Sequence, residues 1–209
     1  MSFVVIFIMI LGVAVAFLSW FIIRMVATPR HTKAVAEQLK QGRVAVAIRS
    51  SKALIAKDPR NGEAHWLLAE AYLADGKPEL ALMELKHVGQ IGQFGPELSE
   101  VAFRTRIAGL YERFNQTEEA LKELILLTKL DPRGAGNFLQ AGKLFEGRGR
   151  TDVAIGYLRK AIELDPKLAA AHHHLGLILY RTKHPMEAKA ELELAIKYDA
   201  DDFEAFFYL

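Results

Sequence analysis

Two hydrophobic patterns divide this chain. From Phe3 to Ile23 the sequence is unbroken apolar, 21 residues without a charge, and as a helix that run spans about 30 Å, the thickness of a bilayer core. Beyond Thr28 the apolar residues recur at helical spacing instead, interrupted at intervals by Gly, Asn or Asp-Pro. This predicts a succession of amphipathic helices with no strand. The interruptions themselves repeat. Alanines fall at Ala81, Ala120, Ala154 and Ala188, each followed four residues on by Leu85, Leu124, Leu158 or Leu192, so the unit returns about every 34 residues. A helix pair this short cannot enclose a core of its own and must stack on its neighbours.

Each slot of the unit has a physical task. In the first helix a small residue (Ala69, Ala108, Gly142, Gly176) meets the small residue of the second, which lets the two helices approach until their larger neighbours interlock. Tyr72, Tyr111 and Phe145 pack between helices. Gly76 and Gly149, with Asn115 at the matching offset, suit the left-handed residue that ends a helix. Asp131-Pro132 and Asp165-Pro166 close the second helix because proline cannot continue it. A degenerate copy is expected over residues 28–61, with Val35, Gly42, Ala47 and Asp58-Pro59 at the right offsets. Four clear copies follow over residues 62–209, and another opens at Phe203. Between Val88 and Val101 the spacing lengthens by five residues, which calls for a longer second helix or a loop. The closing segment Phe203-Glu204-Ala205-Phe206-Phe207-Tyr208-Leu209 puts aromatics on half a helix pair, so either further chain covers them or the tail docks on something.

The recurring small, aromatic, small and Asp-Pro residues resemble the tetratricopeptide repeat over about residues 28–209. The expected fold is all-α, an N-terminal transmembrane helix with its flank over residues 1–27 followed by an α-solenoid of helix-turn-helix repeats. The resemblance implies that the first helix of each repeat lines a concave groove that holds a protein or peptide. On that register the inward residues are Glu63, Trp66, Glu70 and Leu73, then Ala102, Thr105, Glu112 and Arg113. Leu139, Lys143 and Glu146 follow, and then His173, Leu177, Tyr180 and Arg181. Trp66 and Tyr180 are the expected anchors, since aromatics and arginine dominate interface energetics. The few basic contributors, Arg113, Lys143 and Arg181, argue against the strong carboxylate clamp of the family's chaperone-binding members.

Charge gives the apolar run its direction. The first 60 residues carry nine basic and two acidic side chains, leaving 18 basic and 23 acidic for the remainder. Positive charge resists translocation, so a body that follows Arg24 and Arg30 is expected in the cytoplasm, tethered by residues 3–23 to the inner membrane in a single pass. A signal peptide would need a basic segment before the apolar run, where only Met1 and Ser2 stand. Gly12 and Ala16 form a small-xxx-small notch of the kind through which such helices can self-associate, but one pair is weak evidence and ordinary Gly and Ala usage in a membrane helix is the favoured account of it. A basic entry to an acidic body is unlike a nucleic-acid binder, whose positive charge runs along the folded surface.

Composition narrows the chemistry further. There is no cysteine, which removes disulfides, thiolate metal sites and a cysteine nucleophile. His172, His173 and His174 are consecutive, and neighbours on a helix point about 100° apart, so they cannot converge on one ion. No phosphate-binding glycine loop or nucleophile elbow is present. The expectation is a non-enzymatic, membrane-anchored scaffold with no cofactor, binding a partner polypeptide. The N-terminal anchor, basic flank and lengthened early junction are also similar to the bacterial lipopolysaccharide assembly protein B family, which couples a membrane protease to a lipid-synthesis enzyme. The cysteine-ligated module of that family is absent here. Two other readings stand open: an extracytoplasmic envelope-assembly chaperone of opposite topology, and a hydrolase or transferase subunit with a polar pocket of perturbed pKa.

Overall fold

The computed structural model describes residues 32–95 and 98–209, and every regular element in them is helical. The apolar segment Phe3–Ile23, and with it the expected anchor, lies outside the described residues. Among the described residues no helix is long and apolar enough to cross a membrane. The chain divides into two compact units, one running to Ser99 and the second from Glu100 to Leu209.

The first unit holds two helical hairpins. Helix α1 covers residues 32–40 and α2 spans Val44–Lys57, followed by α3 (Gly62–Ala74) and α4 (Pro78–Ile91). Its core joins Val35, Ala47 and Ala71, with Leu39, Ile48, Leu54 and Leu67 packed around them. Helix α4 has the same 14 residues as the second helices elsewhere, so the extra length of the junction is not helix. It is a loop that leaves α4 through the left-handed Gly92 (φ 64°) and folds on itself at an antiparallel bridge between Gly95 and Leu98.

The second unit repeats the hairpin three times: α5 (Glu100–Arg113) with α6 (Thr117–Leu130), α7 (Ala135–Gly147) with α8 (Thr151–Leu164), and α9 (Ala169–Arg181) with α10 (Pro185–Tyr198). A short α11 (Phe203–Tyr208) begins another. The alanines of the second helices, Ala120, Ala154 and Ala188, are buried to 1% exposure or less. A methyl group added to Gly176 would stand 2.7 Å from Leu192 Cγ, and one added to Gly142 would stand 2.9 Å from Leu158 Cγ. Close approach of paired helices at these slots is therefore a packing requirement.

The turn inside each of the five hairpins uses one left-handed residue: Gly42 (φ 71°), Gly76 (φ 70°), Asn115 (φ 55°), Gly149 (φ 69°) and Lys183 (φ 63°). Glycine and asparagine adopt this conformation readily, and Lys183 does not. Second helices end at Asp58, Asp131, Asp165 and Asp199, where the backbone turns towards extended. Three of these aspartates accept the backbone N–H two residues on, at 3.0 to 3.1 Å, which fixes the turn into the next hairpin.

Candidate functional site

One contact recurs in four of the hairpins. A side chain in the first five residues of the first helix faces a residue nineteen positions later on the second, in α3/α4, α5/α6, α7/α8 and α9/α10. His65 Nδ1 lies 2.6 Å from Glu84 Oε2, Arg104 donates to Glu123 at 2.6 Å, Phe138 meets Tyr157 with ring centroids 6.1 Å apart, and His172 Nδ1 lies 2.6 Å from Glu191 Oε2. In the two histidine copies the other ring nitrogen faces a proline carbonyl, Pro59 O at 3.2 Å and Pro166 O at 3.0 Å. Arg104 is held as well by Glu100 at 2.6 Å. These clamps set the rotation of each first helix and so decide which side chains it presents outward.

In the second unit successive first helices are tied edge to edge. Glu146 on α7 receives His174 Nδ1 at 3.1 Å and an Arg181 N–H at 2.8 Å, both from α9. Burial works against the charge of Glu146, but His174 and Arg181 outweigh it and hold the carboxyl below its ordinary value. His173 Nδ1 lies 2.6 Å from Asp202, and Glu204 is 3.5 Å from its other nitrogen. The three consecutive histidines thus reach three different carboxylates, on α10, before α11 and on α7. Beside this network, burial raises the Glu112 carboxyl above its ordinary value, against the opposing pull of Lys143.

What this leaves in water is cationic and aromatic. Arg113, Lys143, Tyr180 and Arg181 are exposed, and Tyr180 is half accessible while its ring edge meets Tyr208 at 5.2 Å. Leu139 and Leu177, expected to line the groove, are instead buried at 7% and 4% exposure. Leu139 joins the core around Ala154, Leu158 and Leu175, and Leu177 packs on Leu192 and Ala205. His173 is likewise drawn into its carboxylate contacts.

In the first unit Glu63, Trp66, Glu70 and Leu73 are all half-buried on α3. Glu63 borders a cleft of about 260 Å³ lined by Asp58, Arg60, Asn61, Gln93, Phe94 and Gly95. The junction loop closes on the start of α3 so tightly that a methyl group at Gly62 would lie 3.2 Å from Gln93 O. Sequence reasoning placed Glu63 but missed Arg60, Gln93 and Phe94. Their signal was the five extra residues of the junction, which mark a loop without saying where it rests.

Family models for the tetratricopeptide repeat match residues 32–85 and 169–202, and a TPR repeat model matches residues 142–183. No curated protein matches the sequence. Among solved structures the chain is similar to YrrB, described as a TPR protein with an unusual peptide-binding site, with a TM-score of 0.76 at 16% identity over 85% of this chain and 89% of that one. MamA gives a TM-score of 0.69 at 20% identity over 81% and 96% of the two chains. A MamA structure from Desulfovibrio magneticus RS-1, covering residue 41 to the end, gives 0.69 at 18% identity over 84% and 96%. At these identities the likeness is one of fold.

Proposed function

Because the chain is built of tetratricopeptide repeats, we propose that it is a scaffold, tethered to the cytoplasmic membrane by residues 3–23, that gathers a partner polypeptide on the outward face of its first helices. The fold of the neighbours fits a protein-protein interaction scaffold. One observation carries the finer reading. The two acidic groups near the ends of α5 and α7 are partly buried, Glu112 and Glu146, and Glu146 is engaged by His174 and Arg181, while Arg113, Lys143, Tyr180 and Arg181 stay accessible. Such a face favours a polypeptide that brings its own carboxylates, together with an apolar side chain to lie on Tyr180. That one solved neighbour is described as having a peptide-binding site supports the same kind of ligand.

The tether rests on the 21 uncharged residues from Phe3 to Ile23 and on the basic residues that follow. The reading assigns no catalytic step to the chain.

Two experiments test the parts separately. Crosslinking in membranes from a photoreactive residue at Tyr180 should capture a defined partner, and capture should fall at least fivefold when Arg113, Lys143 and Arg181 are changed together to alanine. Capture that ignores this change would refute the face. The chain contains no cysteine, so a single Lys122→Cys variant reports topology cleanly. An impermeant thiol reagent should label it only after the membrane is opened, and labelling in intact cells would overturn the cytoplasmic orientation in favour of an extracytoplasmic chaperone.

A further inference from the structure

The ion pairs that tie α7 to α9 have an unfilled counterpart between α5 and α7. Glu146, near the end of α7, receives His174 and Arg181 of α9 at 3.1 and 2.8 Å. One repeat interval of 34 residues earlier, Glu112 holds the same place near the end of α5. At that interval the place of His174 falls to Gln140 and that of Arg181 to Gly147, both on α7. The register holds one interval later as well, where Tyr180 in the slot of Glu146 meets Tyr208 in the slot of His174, ring centroids 5.2 Å apart.

The carboxylate is therefore kept between α5 and α7, while both cations that satisfy its counterpart are missing. Glu112 is half-buried, and among the described residues its side chain takes part in no hydrogen bond and no ion pair. Burial opposes its charge, and Lys143 draws on that charge without bridging to it. A side chain built at Gly147 would meet nothing within 4 Å, so the position from which Arg181 reaches Glu146 is open space in this copy. Gly109, one turn before Glu112 on the same face of α5, is open in the same way. A half-buried carboxylate without a donor is costly, and a cation that arrives with a ligand relieves the cost. Glu146 also shows which cation suits the slot, since it takes N–H donors from two side chains and one of them is a guanidinium. A single guanidinium carries several N–H donors in one plane and can fill both places, whereas an ammonium is a compact, strongly hydrated point charge.

We propose that Glu112 is the seat of an arginine side chain carried by the polypeptide bound on this face, its guanidinium standing beside Glu112 as that of Arg181 stands beside Glu146. This rests on the face being a polypeptide site in the first place. The same polypeptide brings carboxylates to Arg113, Lys143 and Arg181, so it is an acidic segment with one arginine set among its acids.

The probe is a phage-displayed library of random dodecapeptides selected against the full chain in detergent. Binders should share acidic residues and one arginine at a constant spacing from them. Selection against the Glu112→Gln chain should keep the acids and lose the arginine. Gly147→Arg, which supplies the missing guanidinium from the protein itself, should also lose the arginine. The chain carrying Arg113→Ala, Lys143→Ala and Arg181→Ala together should lose the acids. For one selected peptide, fluorescence anisotropy should show at least fivefold weaker binding when its arginine becomes alanine or when the protein carries Glu112→Gln, and no further loss when the two are combined.

Acidic binders with no shared arginine, lysine in its place, an arginine that the Glu112→Gln chain still selects, or losses that multiply when combined would overturn the seat and leave the polypeptide face standing. A library that yields no acidic binder refutes the face, and the seat with it. Should Gly147→Arg lose its helical signal, the Glu112→Gln result decides.

Discussion

The α7/α8 and α9/α10 hairpins share one backbone and one nineteen-residue contact, yet they fill it with opposite chemistry. In α9/α10 the contact is polar, His172 at 3% exposure against Glu191. In α7/α8 it is aromatic, Phe138 against Tyr157, with Tyr157 stacked also on Phe145 at 5.2 Å. The fold constrains where these side chains stand and how much space they fill. It does not dictate how they hold together. What it does dictate is the small residue one helical turn further along, since Gly142 and Gly176 lie against Leu158 and Leu192 in both hairpins with no room for a further atom.

The comparison can be broken first at the slot the two hairpins have in common. Gly176→Val would drive its side chain into Leu192 and is expected to destabilise α9/α10 by about 3 kcal/mol, as overpacked cores do. Gly142→Val should cost α7/α8 about as much, and urea unfolding followed by circular dichroism reads both. If either variant unfolded like the parent, close approach would not be what the small residue secures.

The clamp comes next in size. Glu191→Ala leaves a buried imidazole without its carboxylate and should cost about 2 kcal/mol, the penalty of an unsatisfied buried polar group. The same unfolding curves measure it.

A smaller effect separates the two turns. Gly149 takes its left-handed φ freely while Lys183 does not, so Lys183→Gly should stabilise the second unit by about 1 kcal/mol and raise its melting temperature. A fall in melting temperature would show that the Lys183 side chain contributes more than its backbone strain removes.

The smallest effect is in the pH dependence of the contacts joining α7 to α9. The folded state holds the Glu146 carboxyl below its ordinary value of 4.5, so its stabilising contribution is complete above that value and is lost as pH falls through the folded pKa. Glu112 shifts the other way, because burial raises it, so its ionisation opposes folding as pH rises past 4.5 and protonation relieves that on acidification. Glu146→Gln should therefore flatten the acid limb of a stability-pH curve, whereas Glu112→Gln should raise stability at neutral pH. Since Glu146 has exposed partners such as Arg181, salt should reduce its share.

The same comparison explains how far the sequence could be read. The small residues, the turn glycines and the Asp-Pro ends repeat as residue types, so their period exposed the fold. The clamps do not repeat as types: His65, Arg104, Phe138 and His172 have no shared property beyond size, and their partners stand nineteen residues away on another helix. His172 could be kept from a metal site by helix geometry, but its pairing with Glu191 has no signature in the residue pattern. Leu139 and Leu177 sat at groove-lining register positions, and only packing against Leu158 and Leu192 draws them into the core. At the Lys183 turn the left-handed residue is not a glycine, which hid it. The exposed phenylalanines of α11 were legible in the sequence as apolar residues on half a helix pair.

The transplanted clamp is the most direct test. His172→Phe and Glu191→Tyr, made singly and together, place the α7/α8 chemistry into α9/α10. If the nineteen-residue contact is one site with exchangeable chemistry, each single change costs about 2 kcal/mol and the double variant returns to within about 1 kcal/mol of the parent in urea unfolding. A double variant destabilised by the full sum of the singles would contradict the account.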